Sequence, residues 1–261
     1  TPTARLGARW RLAEGTFLRG AAYAGFRPPT LNELHRPFRV GNDVTEANAG
    51  LEPERLYGVE AGLVGEGDVR WSATVFASRI EDPIANVTVG FGPATFPVAG
   101  FIPLGGVLRQ RQNAGQIEAV GLELDAATDL FETLSLRAGL AATQAEVDGG
   151  TAAPQLTGKR PAQTAEVTVT AGAEWRPLEP LTLTADLRYE SDRFEDDLNL
   201  RVLEAAVSLD LRAGWRVGEG VELYAAADNL FDAEIEVGET ADGIESFAAP
   251  RTVRVGLSLR R

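Results

Sequence analysis

The feature that most constrains this chain is strict alternation of apolar and polar residues over long runs. The C-terminal run shows it best, because every second position is apolar: Val253, Val255, Leu257 and Leu259. A period of two is typical of β-strands whose two faces meet different surroundings. No stretch reaches the roughly 18–20 continuous apolar residues of a membrane-spanning helix. The pattern therefore predicts an all-β fold.

The same alternation recurs along the chain and predicts eleven strands. They are residues 4–12, 16–26, 56–64, 69–79, 119–127, 133–143, 164–175, 181–190, 204–217, 221–228 and 253–260. Within 16–26, Phe17 and Leu18 fall in opposite phases, which indicates a β-bulge. Soluble strands average about 5–6 residues, whereas a tilted strand that crosses a bilayer needs roughly 9–11. Length therefore favours membrane-spanning strands over a soluble β-sandwich, which would also alternate.

The connections between these segments alternate between short and long. The short ones are residues 13–15, 65–68, 128–132, 176–180 and 218–220, and the long ones are 27–53, 80–115, 147–163, 191–200 and 231–250. In an up-and-down antiparallel sheet, this order places all short turns at one end and all long loops at the other. Outer-membrane barrels have this asymmetry, and a Greek-key sandwich has no reason to produce it.

The tryptophans follow the same geometry. All four lie within a few residues of a short turn and share the phase of the apolar face: Trp10, Trp71, Trp175 and Trp215. Near the long loops, Tyr57 and Tyr189 lie in the same phase. Amphipathic rings at the rim of an apolar band are typical of the aromatic girdle of a membrane barrel. We therefore expect the apolar face to contact lipid and the polar face to line a wet interior.

Composition excludes several function classes. The chain has no Cys and one His, so neither a thiolate nucleophile nor a multi-histidine metal site can form. A net charge of −13 argues against nucleic acid as a partner. His35 has no identifiable Ser or carboxylate partner, and Glu118 and Glu123 fall in opposite phases. We therefore expect no enzyme and no cofactor.

Several motifs carry a family resemblance. Residues 26–34 read FRPPTLNEL, 48–54 read NAGLEPE, 113–115 read NAG before VGLE at 120–123, 228–232 read DNLFD, and 250–257 read PRTVRVGL. In this order, they resemble TonB-dependent outer-membrane receptors along the whole chain. The resemblance implies an antiparallel up-and-down transmembrane β-barrel, of which residues 1–261 would be the last half of 22 strands. The N-terminal plug domain of such receptors is expected to be absent from this chain.

The resemblance also implies location and partners. It places the chain in the bacterial outer membrane, in contact with outer-membrane lipid and, through the missing plug, with the TonB energy-transducing complex. The expected ligand is a scarce small molecule, first a ferric siderophore or similar metal chelate, with cobalamin, other chelates and glycans open. An autotransporter-type translocator would show a helix before the first strand, and a porin-like barrel would lack the segment at 26–34.

The first long loop carries the candidate ligand contacts. These are the basic or amide side chains Arg27, Asn32, His35, Arg36 and Arg39. Arg would give bidentate contacts to an anionic chelate. The other reading, which the sequence favours for each residue taken alone, is that it packs or pairs within the loop. The prolines at 28–29 and the Gly-Asn-Asp stretch at 41–43 indicate an ordered loop rather than a strand.

Two acidic segments lie in later long loops. The first holds Glu190, Asp192, Glu195, Asp196 and Asp197, and the second holds Glu234, Glu236, Glu239, Asp242 and Glu245. Hard carboxylate oxygens suit calcium, so a calcium site is one reading of each segment. The other reading, and the one we expect, is a solvated acidic loop. No metal ligand is therefore assigned.

Overall fold

The computed structural model describes residues 2–259. Up to residue 81 its elements are β1 (Ala4–Ala13), β2 (Thr16–Arg27), α1 (Leu31–His35), β3 (Phe38–Val40), β4 (Asp43–Glu46), β5 (Glu54–Gly65) and β6 (Val69–Glu81). The next are β7 (Ile84–Phe91), β8 (Ala94–Phe96), β9 (Gly100–Ile102), β10 (Val107–Asn113), β11 (Gln116–Leu130), β12 (Leu134–Asp148) and a 3₁₀ turn (Pro154–Leu156). The last are β13 (Val167–Leu178), β14 (Leu181–Glu190), β15 (Arg193–Phe194), β16 (Val202–Leu203), β17 (Ala206–Gly218), β18 (Val221–Asp228), β19 (Glu236–Glu239), β20 (Glu245–Phe247) and β21 (Thr252–Leu259).

The long strands form one antiparallel sheet. Its eleven strands follow the chain in the order β1-β2-β5-β6-β11-β12-β13-β14-β17-β18-β21. Each strand pairs with its neighbours in this order through an antiparallel register, so the sheet is an up-and-down meander. This confirms the eleven predicted strands; residue 260, at the end of the last predicted segment, lies outside the described residues. Across residues 2–259, no helix has the length and hydropathy to span a bilayer.

The strand register places the apolar residues on one face of the sheet and the charged residues on the other. Trp175 lies opposite Leu134 and Leu183, and the same face continues to Trp215 opposite Leu181. Residues that pair across antiparallel strands project to the same side, so these positions form one continuous apolar face. The opposite face carries the charged residues of the strands, which make ion pairs such as Arg137–Asp186, Arg212–Glu222 and Arg254–Asp228. We call these two sides the apolar face and the polar face.

The predicted bulge in residues 16–26 is wrong. Residues 16–27 of β2 pair with β5 in unbroken register, and the irregularity lies in β1, between Arg11 and Ala13. Phe17 pairs with Arg11 on the polar face, where the Arg9 guanidinium covers its ring at 3.7 Å from the centroid. An aromatic ring is stable there because a cation is attracted to its face. The apparent phase conflict is therefore an aromatic residue on the polar side.

The long connections fold into a separate layer at one end of the sheet. It consists of residues 28–53, 82–115, 149–166, 191–205 and 229–251, and we call it the outer layer. It contains a four-stranded sheet in the order β3-β4-β10-β7 and three two-stranded sheets. The stretch at 41–43, expected to be loop, forms the turn of the hairpin β3–β4 and the first residue of β4, with Gly41 at φ +57°. Glycine is favoured at that turn because it adopts positive φ without steric cost.

The buried apolar side chains of residues 2–259 lie in this outer layer or, for Val147, where β12 enters it. One cluster contains Val87, Val147, Ala153 and Leu156, and a second contains Val44, Ile102 and Leu108. By contrast, the apolar face of the large sheet is exposed along most of its length, including Leu6, Val75 and Val255. Within the described part of the chain, the outer layer therefore has its own small hydrophobic core, whereas the large sheet has none.

Candidate functional site

A cavity of about 580 Å³ lies within the outer layer, and all five long connections contribute to its lining. We call it the loop cavity. Its lining includes Phe38, Val40, Asp43, Thr45, Ile84, Arg109, Ile117, Leu156, Arg160, Gln163, Glu195, Asp196, Asp197, Glu239 and Ser246. Its volume lies within the range of about 300–1,000 Å³ that is usual for small-molecule sites.

The wall of the loop cavity is built by pairing two long connections. β4 of the first connection pairs in parallel with β10 of the second, and β10 pairs antiparallel with β7. Strand alternation along β4 directs Asp43 and Thr45 to the same side, and both line the cavity. Arg109 on β10 lies opposite Thr45 in this register. The backbone ladder thus fixes the positions of the charged lining residues.

Hydrogen bonds between connections close the rest of the layer. The backbone N–H and the hydroxyl of Thr88 both donate to the Asp197 carboxylate at 2.7 Å, which joins the second and fourth connections. Arg193 donates to Gln163 Oε1 at 3.1 Å and to the Glu236 carbonyl oxygen at 3.0 Å. These contacts join the third, fourth and fifth connections, so the outer layer is one interlocked unit.

Both arginines of the cavity lining are already paired. Arg109 Nη1 lies 3.1 Å from Asp43 Oδ2, and Arg160 contacts Glu166 at 3.1 Å and Asp192 at 3.0 Å. The acidic lining residues outnumber these two cations. Burial raises the pKa of the Glu195 carboxyl above its ordinary value, although nearby arginines oppose the shift. The cavity is therefore an acidic environment without an unpaired arginine in its lining.

The structure places Arg27, the first predicted ligand contact, in a clamp at the end of β2. Its Nε lies 2.6 Å from Glu54 Oε2, and its Nη1 lies 3.0 Å from Glu33 Oε2. Thr30 caps α1, and its hydroxyl and backbone N–H also donate to Glu33. Burial raises the pKa of Glu33, but the bonds from Arg27 and Thr30 outweigh it and lower the pKa below its ordinary value. Arg27 therefore fastens α1 to the sheet.

The other predicted contacts lie on the exposed surface of the first connection. Asn32, His35, Arg36 and Arg39 are exposed, and none of them belongs to the lining of the loop cavity. The carbonyl oxygens of Asn32 and Arg36 accept hydrogen bonds from buried Arg111. Along β3, Phe38 and Val40 line the cavity while Arg39 takes the opposite phase and donates to the Phe101 carbonyl oxygen at 3.5 Å. The structure thus separates these residues from the enclosed space.

The prediction of a solvated acidic loop is wrong at Asp196. This residue is 4% exposed, and its Oδ1 accepts the backbone N–H groups of Leu200 and Arg201 at 2.9 and 2.8 Å. A buried carboxylate persists because these N–H donors replace its hydration. Within residues 2–259, no group of three or more His, Cys, Asp or Glu side chains has the arrangement of a metal site. The acidic segment instead organises the turn between β15 and β16.

The four tryptophans lie where the sequence places them relative to the sheet. All are on the apolar face, next to the short turns, with exposures between 37% and 71%: Trp10, Trp71, Trp175 and Trp215. At the other end of the apolar face, Tyr57 is also exposed. Exposed indoles in one row are unusual on a surface that faces water.

The residues that line the loop cavity could not be assigned to one site from the sequence. Asp43 was part of a turn signal, and Arg109 lay in a long connection without alternation. The sequence signals were the two acidic segments, of which the first contains Glu195, Asp196 and Asp197 and the second contains Glu239. Their alternation with other polar residues favours solvated loops and gives no sign that they meet. These residues come together through the parallel pairing of β4 with β10, which joins residues more than 60 positions apart and leaves no local pattern.

The sequence and the fold of this chain are both similar to those of known proteins. A family model described as TonB dependent receptor-like, beta-barrel matches residues 1–230. The vitamin B12 transporter BtuB of Photobacterium profundum is 26% identical over 221 residues, covering 84% of this chain and 32% of that protein. This chain therefore spans about a third of the length of that curated relative.

Two solved structures are similar to the fold. The ferric yersiniabactin uptake receptor FyuA from Yersinia pestis matches with a TM-score of 0.72 and 17% identity, over 98% of this chain and 36% of that chain. The siderophore receptor PiuA from Acinetobacter baumannii matches with a TM-score of 0.74 and 17% identity, over 98% of this chain and 35% of that chain. At this identity, the likeness concerns the arrangement of strands. An autotransporter-type or porin-like barrel is not favoured.

Proposed function

Because this chain belongs to the TonB-dependent receptor family, whose members are outer-membrane receptors and transporters, we propose that it supplies barrel wall and outer loops to an uptake receptor. The chain is an outer-membrane protein, and its sheet is the antiparallel wall of a β-barrel. In such a wall the apolar face contacts lipid and the polar face lines the interior. The proposed receptor captures a scarce small molecule outside the cell and passes it inward.

One observation carries this proposal: five long connections fold at one end of the sheet into an interlocked layer that encloses a cavity. The short turns at the other end build no such layer. Outer-membrane barrels place short turns on the periplasmic side, so the layer and its cavity would face the outside, where a ligand arrives. A wall that serves only as a pore has no need for a ligand-sized space among its loops.

The proposed ligand is a metal chelate, with a ferric siderophore as the first candidate. FyuA is named for ferric yersiniabactin uptake and PiuA as a siderophore receptor, whereas BtuB is named for vitamin B12, so cobalamin is the second candidate. Exposed His35, Arg36 and Arg39 remain proposed contacts on the outer surface. Asn32, whose side chain is also exposed, remains a proposed contact with them, whereas Arg27 contributes through its clamp on α1 rather than through a free side chain.

The proposal extends to parts beyond this chain. Residues 1–261 would form the C-terminal part of a 22-stranded barrel whose plug domain contacts the TonB complex. The row of Trp10, Trp71, Trp175 and Trp215 would lie in the headgroup region at the periplasmic rim, where indoles are favoured. Energy from TonB, delivered to the plug, would then release ligand from the loops into the cell.

The experiment is genetic. The full gene that encodes these residues is expressed in a strain without its own uptake receptors, with and without TonB, and growth is measured on a panel of ferric chelates under iron limitation and on cobalamin. We expect TonB-dependent growth on at least one member of the panel. Growth on every member that persists without TonB would indicate a passive pore and contradict the proposal.

A further inference from the structure

We infer that the ligand group enclosed by the loop cavity is cationic, an ammonium or similar N–H donor carried on an apolar body. This inference rests on the proposed function and narrows its ligand class. It concerns the part of the ligand that enters the enclosed space, not the part that stays on the outer surface. The charges of the lining, one incompletely paired carboxylate and the apolar wall support it.

The lining of the loop cavity carries a surplus of negative charge. Its acidic members are Asp43, Glu195, Asp196, Asp197 and Glu239, and its basic members are Arg109 and Arg160. Arg109 is paired with Asp43, and Arg160 is paired with Glu166 and Asp192. An anionic group in this space would meet no unpaired guanidinium in the lining; Arg193 and Arg201, whose charges also act on Glu195, lie outside it. A cation, by contrast, would be attracted by the surplus carboxylates, because charges on a partly buried wall are screened less than charges on the open surface.

Asp43 supplies the second observation. The residue is 8% exposed and lines the cavity, and among the described residues its Oδ1 has no hydrogen-bond partner while its Oδ2 pairs with Arg109. An ionised carboxylate accepts hydrogen bonds through both oxygens, and a buried acceptor left unpaired costs about 1–3 kcal/mol. This oxygen is itself shielded from the cavity, so an N–H donor on a ligand would satisfy it once the lining shifts to admit the donor. An anion would instead add repulsion.

The remaining lining defines the body that carries the cation. Phe38, Val40, Ile84, Ile117 and Leu156 contribute apolar surface to the same cavity. Apolar walls with a few directed polar groups are typical of small-molecule sites, where the polar groups set orientation. An aryl or alkyl chain that ends in an amine matches both features.

The exposed basic residues of the first connection would favour the opposite charge, and their influence is weaker. His35, Arg36 and Arg39 are in contact with solvent, where water and salt screen their charges more than those of buried groups. Asp43 is shielded from solvent, so its charge acts with less screening. We therefore assign the charge preference of the enclosed group to the cavity and not to the loop surface.

The test uses two probes of matched size and opposite charge, phenethylammonium and 3-phenylpropionate. Each is titrated into the purified full-length receptor in lipid nanodiscs, and binding is measured by calorimetry and ligand-observed NMR. We expect phenethylammonium to bind at least about tenfold more tightly, because one charge-assisted hydrogen bond contributes that much or more. Equal affinity, tighter binding of 3-phenylpropionate, or no binding of either probe would overturn the inference.

Variants of the lining carboxylates show which residues produce the preference for the cationic probe. Asp43→Asn keeps the shape but removes the charge and frees Arg109, so the preference should fall about tenfold and the anionic probe should gain affinity. Glu195→Gln, on another connection, should lower the preference with the Asp43–Arg109 pair intact. Glu46→Gln is the matched control, since Glu46 lies on β4 in the opposite phase and does not line the cavity. An unchanged preference in both cavity variants would overturn the assignment, as would a Glu46→Gln effect of the same size.

The outcome separates the two proposals. A receptor that supports TonB-dependent uptake but binds both probes equally would overturn the ligand class and leave the proposed function standing. A receptor that prefers phenethylammonium but supports passive, TonB-independent growth on the whole panel would overturn the proposed function and support the acidic cavity.

Discussion

The large sheet and the outer layer are built from one chain and satisfy opposite requirements. In the sheet, Leu209 and its apolar neighbours lie on an exposed face and the charged residues lie on the other. In the outer layer, Ile102 and Val87 are fully buried, and polar groups such as Asp196 are enclosed with them. The sheet therefore depends on the bilayer to cover its apolar face, whereas the outer layer excludes water by its own packing.

This difference shows which interactions stabilise each region. The sheet is held by backbone pairing and by transfer of its apolar face into lipid, so depth in the membrane decides what a substitution costs. The outer layer is held by small hydrophobic clusters and by hydrogen bonds between connections, so burial decides the cost. A substitution in one region should leave the other folded.

The largest expected effect tests the outer layer alone. Ile102→Ala removes a side chain with 0% exposure from the cluster with Val44 and Leu108, and should destabilise the layer by about 2–5 kcal/mol. Proteolysis and hydrogen exchange of residues 82–115 in the full-length receptor measure it, while heat-modifiable migration of the barrel in gels should not change. Val98→Ala, at 78% exposure in the same connection, is the control. Loss of the folded barrel would show that the two regions are not independent.

A slightly smaller effect tests the sheet. Leu209→Arg places a charge in the middle of the apolar face and should cost about 2–4 kcal/mol in a folding titration into lipid vesicles. Asp210→Asn, the next residue on the polar face, should be tolerated, because the amide oxygen can still accept the Asn229 N–H now bound at 2.8 Å. Equal costs at both positions would mean that the faces are assigned the wrong way round.

The junction between the two regions should show an intermediate cost. Asn229 is buried at φ +49°, and its amide exchanges hydrogen bonds with Ala233 N and O, both at 2.9 Å. Asn229→Ala loses these bonds and strains the backbone, at a cost of about 1–3 kcal/mol. Asn229→Gly loses the same hydrogen bonds without the backbone strain, so its cost measures the hydrogen bonds alone. Thermal unfolding of the receptor measures both; a Gly variant as stable as wild type would assign the whole effect to the backbone.

The smallest effects concern pH and have opposite signs. The pKa of Glu33 is lowered below 4.5, so its contribution is complete above that pH and is lost as the pH falls through the folded value. The pKa of Glu195 is raised, so its contribution is complete below 4.5 and is lost as the pH rises through the folded value. On acidification, protection factors should fall for α1 and rise for residues 191–205. Glu195→Gln should abolish the rise in protection of residues 191–205. If protection of both regions changed in the same direction in the wild type, the opposite signs assigned to Glu33 and Glu195 would be contradicted.

The sequence predicts the sheet well because its physical cause is local. A strand between lipid and a polar interior must alternate, and residues 181–190 show this pattern and match β14 at both ends. The bulge prediction failed at Phe17 because an aromatic residue on the polar face, covered by Arg9, looks apolar in a pattern of residue types.

The outer layer could not be predicted in this way, because the contacts that form it join residues far apart in the sequence. Strands such as β16, of two residues, and β4, of four residues, are too short to show a period. Asp43 acquires its environment from Arg109, and Asp197 from Thr88, across separate connections. The five predicted contacts fell on the first connection because its motif and charge were visible there. The grouping of the cavity residues was not visible in the sequence, because it depends on tertiary pairing.

The parallel pairing of β4 with β10 has a consequence for engineering this molecule. The first and second long connections share one backbone ladder, so neither is a self-sufficient module. A transplant of only one of them into a related receptor would break the three residue pairs of that ladder, because the partner strand would stay behind. Recombination of specificity among such receptors should therefore succeed when both connections move as a single cassette, together with the segment of wall that separates them.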